Sequence, residues 1–226
     1  MLVLLFLICT VFSLFSQEIV TADRYLELVS ERYVEIKDYE ARVLIRSDST
    51  EMTGNLSYLE PFFLRIDFTE PAEQVLVFDG SILTVYIPRL RAVLNQMVAP
   101  VRRTSTPAGG ATLVTAQGLQ LLRRGYVSTF VTGPEPVPLD ERNREAVVKL
   151  RLTRRLMSEG FREIILCVDP ETLFIRRIEG RTIADALVRF DYTNVRINIG
   201  IPEQRFVYDS PPTANLYNNF LFRDSD

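Results

Sequence analysis

The chain has 226 residues, 47% hydrophobic and 24% charged, with a formal net charge of -3 at neutral pH. That composition can bury a sizeable core, and the lack of a basic excess argues against a dedicated nucleic-acid binder. There is no histidine, which removes the commonest general base and metal ligand and excludes Ser-His-Asp and Cys-His catalysis; two distant cysteines cannot build a thiolate zinc site either.

The first sixteen residues, MLVLLFLICTVFSLFS, are apolar and run straight into Gln17-Glu18. A bilayer span needs about 20 residues, so the run suits a signal-peptide core, with small-residue cleavage after Ser16 or Ser13. No Lys or Arg precedes it, and retention as a membrane anchor is the alternative. Cys9 lacks the small preceding residues that lipid modification needs and reads as part of the apolar run. Removal of the segment leaves Cys167 alone, so the exported domain, residues 17–226, is expected to hold without a disulfide.

Ala22, Tyr25, Leu26, Val29, Tyr33 and Ile36 recur at helical spacing and predict an amphipathic helix over 21–37, with Glu27, Glu31, Arg32 and Glu35 on its other face. The period then changes to two. Tyr39, Ala41, Val43 and Ile45 alternate with Glu40, Arg42 and Arg46; Leu56 and Tyr58 share a face of 55–60; Leu64, Ile66 and Phe68 oppose Arg65 and Asp67 in 62–68. Glu60-Pro61 interrupts the ladder because proline cannot donate to it. VLVFDGSILTVYIP (75–88) reads as a hairpin, Gly80 supplying the positive φ of a tight turn. Val75 and Val77 fall on one side and Leu76 and Phe78 on the other, and Ile82 and Tyr86 oppose Leu83, Val85 and Ile87; both faces are apolar, so both need cover. A strand over 89–96 follows, carrying Leu90, Ala92 and Leu94.

The stretch 100–111 reads as a loop, and 115–125 as a short helix capped by Thr115 and weakened by Gly118. A Pro-rich loop spans 132–144. Strands resume at 145–153, 161–168, 173–180 and 187–199. The last slips phase between Tyr192 and Val195, which predicts a bulge near Thr193-Asn194. A final short strand is expected at 205–208. One amphipathic helix, about ten strands and a helical insertion predict a mainly β protein, a single antiparallel sheet or partial barrel.

Several stretches resemble one family, the periplasmic LolA-like carriers of outer-membrane lipoproteins. They are the N-terminal helix leading into YEARV (39–43), GNLSYLEPFFLRI (54–66), EQVLVFDGSILTVYIP (73–88) and YTNVRINIGIPEQRFVYDSPP (192–212). The resemblance implies a strongly curved antiparallel sheet, an incomplete β-barrel, with a helical lid inserted at about 100–125 and an apolar cavity beneath it. It further implies acylated lipoproteins or lipids as cargo, an inner-membrane export complex as donor, an outer-membrane acceptor, a periplasmic location and a monomer, with no nucleic acid. One face of the 75–88 hairpin would then look into the cavity. The expected lining is Leu56, Tyr58, Leu64, Ile66, Phe68, Leu83 and Val85 from the sheet and Leu119, Leu121 and Leu122 from the lid. In the family an arginine often precedes the proline that opens the 62–68 strand and contacts the lid. Here that position is Glu60, so a latch of this kind needs other partners: Arg102, Arg103, Arg123 or Arg124.

A lipid-sensing regulator or scaffold on the same frame is the second reading. Enzyme activity is not expected, and neither is a cofactor or a metal. Asp79, Asp169, Glu171 and Asp191 are carboxylates able to pair, but Asp79 and Asp169 sit in apparent turns, where Asp makes local hydrogen bonds. The pairs Arg123-Arg124, Arg154-Arg155 and Arg176-Arg177 read as solvated surface, with steering toward phosphate headgroups or an acidic partner as the sharper alternative.

Overall fold

The computed structural model describes residues 20–48, 50–98 and 114–219. The expected leader, 1–16, and the expected loop over 100–111 lie outside them. In chain order come α1 (Ala22–Val34), β1 (Asp38–Ser47), β2 (Thr50–Leu59), β3 (Phe63–Glu70), β4 (Val75–Phe78), β5 (Ile82–Ile87) and β6 (Ala92–Met97). After these come α2 (Ala116–Gly125), β7 (Tyr126–Phe130), β8 (Val137–Pro138), β9 (Ala146–Arg154), β10 (Phe161–Val168), β11 (Ile175–Thr182), β12 (Leu187–Ile197) and β13 (Asn215–Asn218). Among the described residues, 13 strands form one open curved sheet in the order β13-β6-β5-β4-β3-β2-β1-β12-β11-β10-β9-β7, with β8 beside β9. It consists of two meanders joined where β1 pairs antiparallel with β12. Only β13, which runs parallel to β6, departs from antiparallel pairing.

The helices form where the sequence supplies caps and apolar stripes. Thr21 Oγ1 accepts the Arg24 N–H at 3.2 Å and Thr115 Oγ1 accepts the Gly118 N–H at 3.0 Å, satisfying donors that a first turn leaves free. Leu26, Val29 and Tyr33 of α1 and Leu119 and Leu122 of α2 are buried against one face of the sheet, here called the inner face, with Val43, Leu56, Ile66, Leu150, Leu166 and Ile178. Tyr33 stacks on Phe174 at 5.4 Å, and its hydroxyl accepts the Ile175 N–H at 3.1 Å. Tyr39 packs on Tyr58 at 5.2 Å and donates to the Val114 carbonyl at 3.1 Å.

The hairpin at 75–88 forms as expected. The Asp79 N–H donates to Ile82 O, Asp79 Oδ1 accepts the N–H groups of Ser81 and Ile82, and Gly80 takes a φ of 94°. Its outer face is partly covered by the chain after β12. Ile201, Phe206 and Tyr208 pack on Val75, Val77 and Phe63, and Tyr208 meets Tyr86 at 6.1 Å. The expected strand at 205–208 is not one. Glu203–Phe206 is a 3-10 turn whose Arg205 N–H bonds back to Pro202 O, while Arg65 Nη1 takes the Arg205 and Val207 carbonyls. A side chain replaces the ladder there, and Asp67 holds Arg65 and Arg205 together.

Other differences are local. The strand expected over 89–96 starts at Ala92, because Pro88–Leu90 coil into a 3-10 turn and Arg91 takes a left-handed φ of 47°. The loop over 132–144 contains β8 and sends Leu139 onto Val147 and Cys167. The bulge expected near Thr193-Asn194 is present: Glu40 faces Arg196 but Arg42 faces Thr193, and Asn194 has a φ of 54°.

Candidate functional site

Strand register lays the inner-face side chains in rows across the sheet. Ala41, Leu56, Ile66, Leu76, Val85 and Leu94 form one row, from β1 to β6. Tyr39, Tyr58, Leu64, Phe78, Leu83 and Gln96 form the next. Burial falls along the first row and, as far as Leu83, along the second, whose last member, Gln96, is buried again at 4% exposed. Leu56 is 0% exposed and Ile66 1%, whereas Leu76, Val85, Leu94, Phe78 and Leu83 are only half-buried. The cause lies in the helices: α1 packs against α2 and β7, and α2 against β7, so their cover lies toward the β7 end of the sheet. Leu76 and Phe78 rest on the edge of the buried cluster; among the described residues Leu83, Val85 and Leu94 belong to none of the buried clusters.

The residues expected to line a cavity therefore fall into two groups. Leu56, Tyr58, Leu64, Ile66, Phe68, Leu119 and Leu122 are brought together as one packed cluster beneath the helices. Leu83 and Val85 stand on the less covered part of the inner face, and Leu121 is half-buried on α2. Sequence reasoning missed Leu76, Phe78 and Leu94 as neighbours of Leu83 and Val85. The signal was available, since a hairpin turning at Gly80 pairs Phe78 with Leu83 and Leu76 with Val85.

Six tyrosines, Tyr25, Tyr33, Tyr39, Tyr58, Tyr126 and Tyr192, belong to this apolar cluster, and the Tyr126 hydroxyl donates to the Phe161 carbonyl at 3.2 Å. Burial pushes the Tyr25 and Tyr58 phenols up to about 12, with Asp169 adding to the first and exposed Glu60 to the second. Burial likewise raises Tyr33, Tyr39 and Tyr192. The hydroxyls of Tyr25 and Tyr192 are buried without a partner among the described residues. An unpaired buried hydroxyl costs about 1–3 kcal/mol.

Two grooves open elsewhere. One, of about 360 Å³, runs on the outer face between Val77, Ile82 and Thr84 and the Glu203–Tyr208 stretch. The other, of about 610 Å³, lies between α1 and α2 and carries Ser30 and Glu31 opposite Arg123 and Arg124, with Arg155 at its side. Arg123 Nη2 bonds Glu27 Oε1 at 2.8 Å, tying α2 to α1. Arg24 and then Arg123 hold the Glu27 carboxyl below its usual range. Among the described residues no ion pair joins Glu60 to Arg123 or Arg124, while Arg102 and Arg103 lie outside those residues.

Three of the four carboxylates weighed for acid-base work have structural partners, and the fourth, Glu171, is exposed. Asp79 and Asp169 accept turn N–H groups, Asp169 from Glu171 and Thr172, and Asp191 pairs with Arg177, Arg189 and Arg46. Arg177 is not solvated surface as expected. It is buried in β11 between Asp140 and Asp191, because β8 and the residues after it fold over that part of the outer face. Among the described residues there is no acidic or cysteine cluster able to hold a metal, and no helix is long and apolar enough to cross a membrane.

An open, curved, mainly antiparallel sheet with helices packed on its inner face is the architecture that the resemblance implied. No family model and no curated relative matches the chain. Among solved structures, the chain is similar to an uncharacterized conserved protein from Thermus thermophilus, with a TM-score of 0.55 and 11% identity over 85% of this chain and 98% of that one. It is also similar to the MucA/MucB complex structure of Pseudomonas aeruginosa, with a TM-score of 0.50 and 15% identity over 86% of this chain and 62% of that one. A looser likeness, with a TM-score of 0.41 and 14% identity over 84% of this chain and 98% of that one, is to a LolA superfamily protein from Nitrosomonas europaea. At such identities the likeness is one of fold.

Proposed function

We propose that the inner face binds the acyl chains of lipoproteins or lipids, and that the protein is a periplasmic carrier moving them from the inner to the outer membrane. One observation carries the reading: the apolar rows do not stop at the sealed core but continue onto β4–β6, where Leu76, Phe78, Leu83, Val85 and Leu94 are half-buried. Each buried methylene is worth about 0.8 kcal/mol, so a chain of roughly sixteen carbons resists passage through water by on the order of 12 kcal/mol. A carrier removes that barrier by offering substitute apolar surface, and needs no catalytic group to do so. In this reading Leu83 and Val85 meet the chain first. Leu56, Tyr58, Leu64, Ile66, Phe68, Leu119, Leu121 and Leu122 form a deeper wall, reached only when α1 and α2 part from the sheet. Glu60, Arg123 and Arg124 are its headgroup or lid contacts. An inner-membrane export complex supplies the cargo and an outer-membrane acceptor removes it.

The test is mass spectrometry of the protein taken gently from its native envelope, together with titration of a fluorescent fatty acid. A co-purifying acylated species and saturable binding are expected. A protein that carries no acyl group and binds none would end the proposal. The likeness to the MucA/MucB structure favours a second reading, a regulator that uses the same frame to hold a partner protein. Capture of a signalling protein with no acylated cargo would select it.

A further inference from the structure

The hairpin between β9 and β10 ends in Leu156 and Met157, which are 63% and 77% exposed. Two consecutive large apolar side chains at a turn tip serve no packing purpose and are disfavoured in water. The tip is also held in place. The Arg155 N–H donates to Gly125 O at 2.7 Å and Arg155 Nε to Tyr126 O at 3.0 Å, which fixes the base of the hairpin to the end of α2. Arg155 thereby joins Arg123 and Arg124 along one groove. The neighbouring β11–β12 turn adds exposed Ile183, whose carbonyl accepts from Arg162 at 3.0 Å. Of the acidic groups around this end, Glu27 pairs with Arg24 and Arg123, Glu31 with Arg24, Glu163 with Arg151, and Asp185 with Arg162 and Arg181; Asp23 also lines the groove, and Glu159 lies on the hairpin itself, beside Gly125.

An apolar point ringed by arginine is the chemistry of a segment that enters a bilayer interface, its tip among the acyl chains and its cations at the headgroups. We infer that the Leu156-Met157 hairpin docks this protein on membranes rich in anionic phospholipid, with Arg124 and Arg155 at the phosphates. The contact is peripheral and reversible, since two side chains and a few arginines fall far short of a spanning helix. It stands apart from acyl binding on the inner face: a chain that docks here yet takes up no fatty acid would overturn the carrier proposal and leave this one intact.

The test uses the full chain carrying Cys9→Ser and Met157→Cys, labelled with an environment-sensitive fluorophore. Cys167 is buried, and burial first of all pushes its thiol up to about 12, so it stays unlabelled. With phosphatidylglycerol vesicles the label is expected to shift to the blue. A label on Phe62→Cys, in the β2–β3 turn at the other end of the strands, is expected not to shift. Arg124→Gln is expected to weaken the response about fivefold, and Leu156→Ser to weaken it at least about tenfold with fatty-acid binding unchanged. No shift at position 157, or an equal shift at position 62, would overturn the inference.

Discussion

Replacing Leu56 and Leu83 separately tests whether the two ends of the inner-face rows differ as their burial says. Leu56 is fully buried among Ala41, Ile66 and the helices, so Leu56→Ala leaves a cavity in packed surroundings. The expected loss is about 3 kcal/mol, or about 6–12 °C in Tm for a chain of this size. Leu83 is half-buried and outside the core clusters, so Leu83→Ala forfeits about 1 kcal/mol. Leu83→Asp separates stability from function. Its carboxylate still finds water in the free protein, but an acyl chain lying across β4–β6 would strip that water away, at a cost of several kcal/mol. Fatty-acid affinity should fall at least about tenfold while the circular dichroism spectrum stays that of the parent. Thermal melts and fluorescent fatty-acid titrations of the three variants are the assay. Equal destabilisation by the two alanine changes, or a folded Leu83→Asp protein with parental affinity, would refute the reasoning.

Three further outcomes follow from other parts of the molecule. A Cβ at Gly54 would lie 2.8 Å from Asp67 O and 2.9 Å from Ile66 Cγ2, so Gly54→Ala must prise β2 from β3; a loss of about 1–3 kcal/mol is expected in urea unfolding, and none would contradict the close approach. Tyr192→Phe removes a buried hydroxyl without a partner and should leave the urea midpoint unchanged or raise it, whereas Tyr33→Phe strands the Ile175 N–H and should cost about 1 kcal/mol; the reverse order would overturn this. The Asp140 carboxylate accepts from Asn143 N–H, Arg177 and Arg142 N–H, which hold it at about 2, below the ordinary 3.8. Its contribution is therefore complete above pH 3.8 and drains away as pH falls toward 2; Asp140→Asn should flatten the stability profile across that window, and an unaltered profile would refute the assignment.

Much of the fold was legible because one alternation of apolar and polar residues governs each strand with a single buried face. The stretch 39–46 shows it plainly, as do Leu64, Ile66 and Phe68 in β3. The 75–88 hairpin could be read as a hairpin but not as half a site. Its second apolar face is partly covered by Ile201, Phe206 and Tyr208, more than a hundred residues later, and no local pattern announces such a contact. The stretch 205–208 reads as a short β-rich run, yet the carbonyls of Arg205 and Val207 accept from Arg65, a side chain whose reach no periodicity encodes. Strand β13 was missed for a related reason: Asn215–Asn218 is exposed throughout and carries no apolar face, its pairing resting on backbone bonds to β6. As for the site, an apolar inward face could be read residue by residue. Which of those residues would be sealed beneath α1 and α2, and which left half-covered, depends on where the helices come to rest.

The seam between the meanders has a consequence for how the chain is made. Strand β1 finds its second neighbour only in β12, whose paired residues lie between 141 and 158 positions further along. At about 5–20 residues per second, a nascent chain would hold the bare flank of β1 for roughly 7–32 s before that neighbour emerges. Each meander can zip up locally, but the long loop closure that unites them sets the pace of folding and leaves an interval in which β1 invites pairing with other chains. An attendant that shields this flank during biosynthesis would protect the whole sheet by covering a single strand.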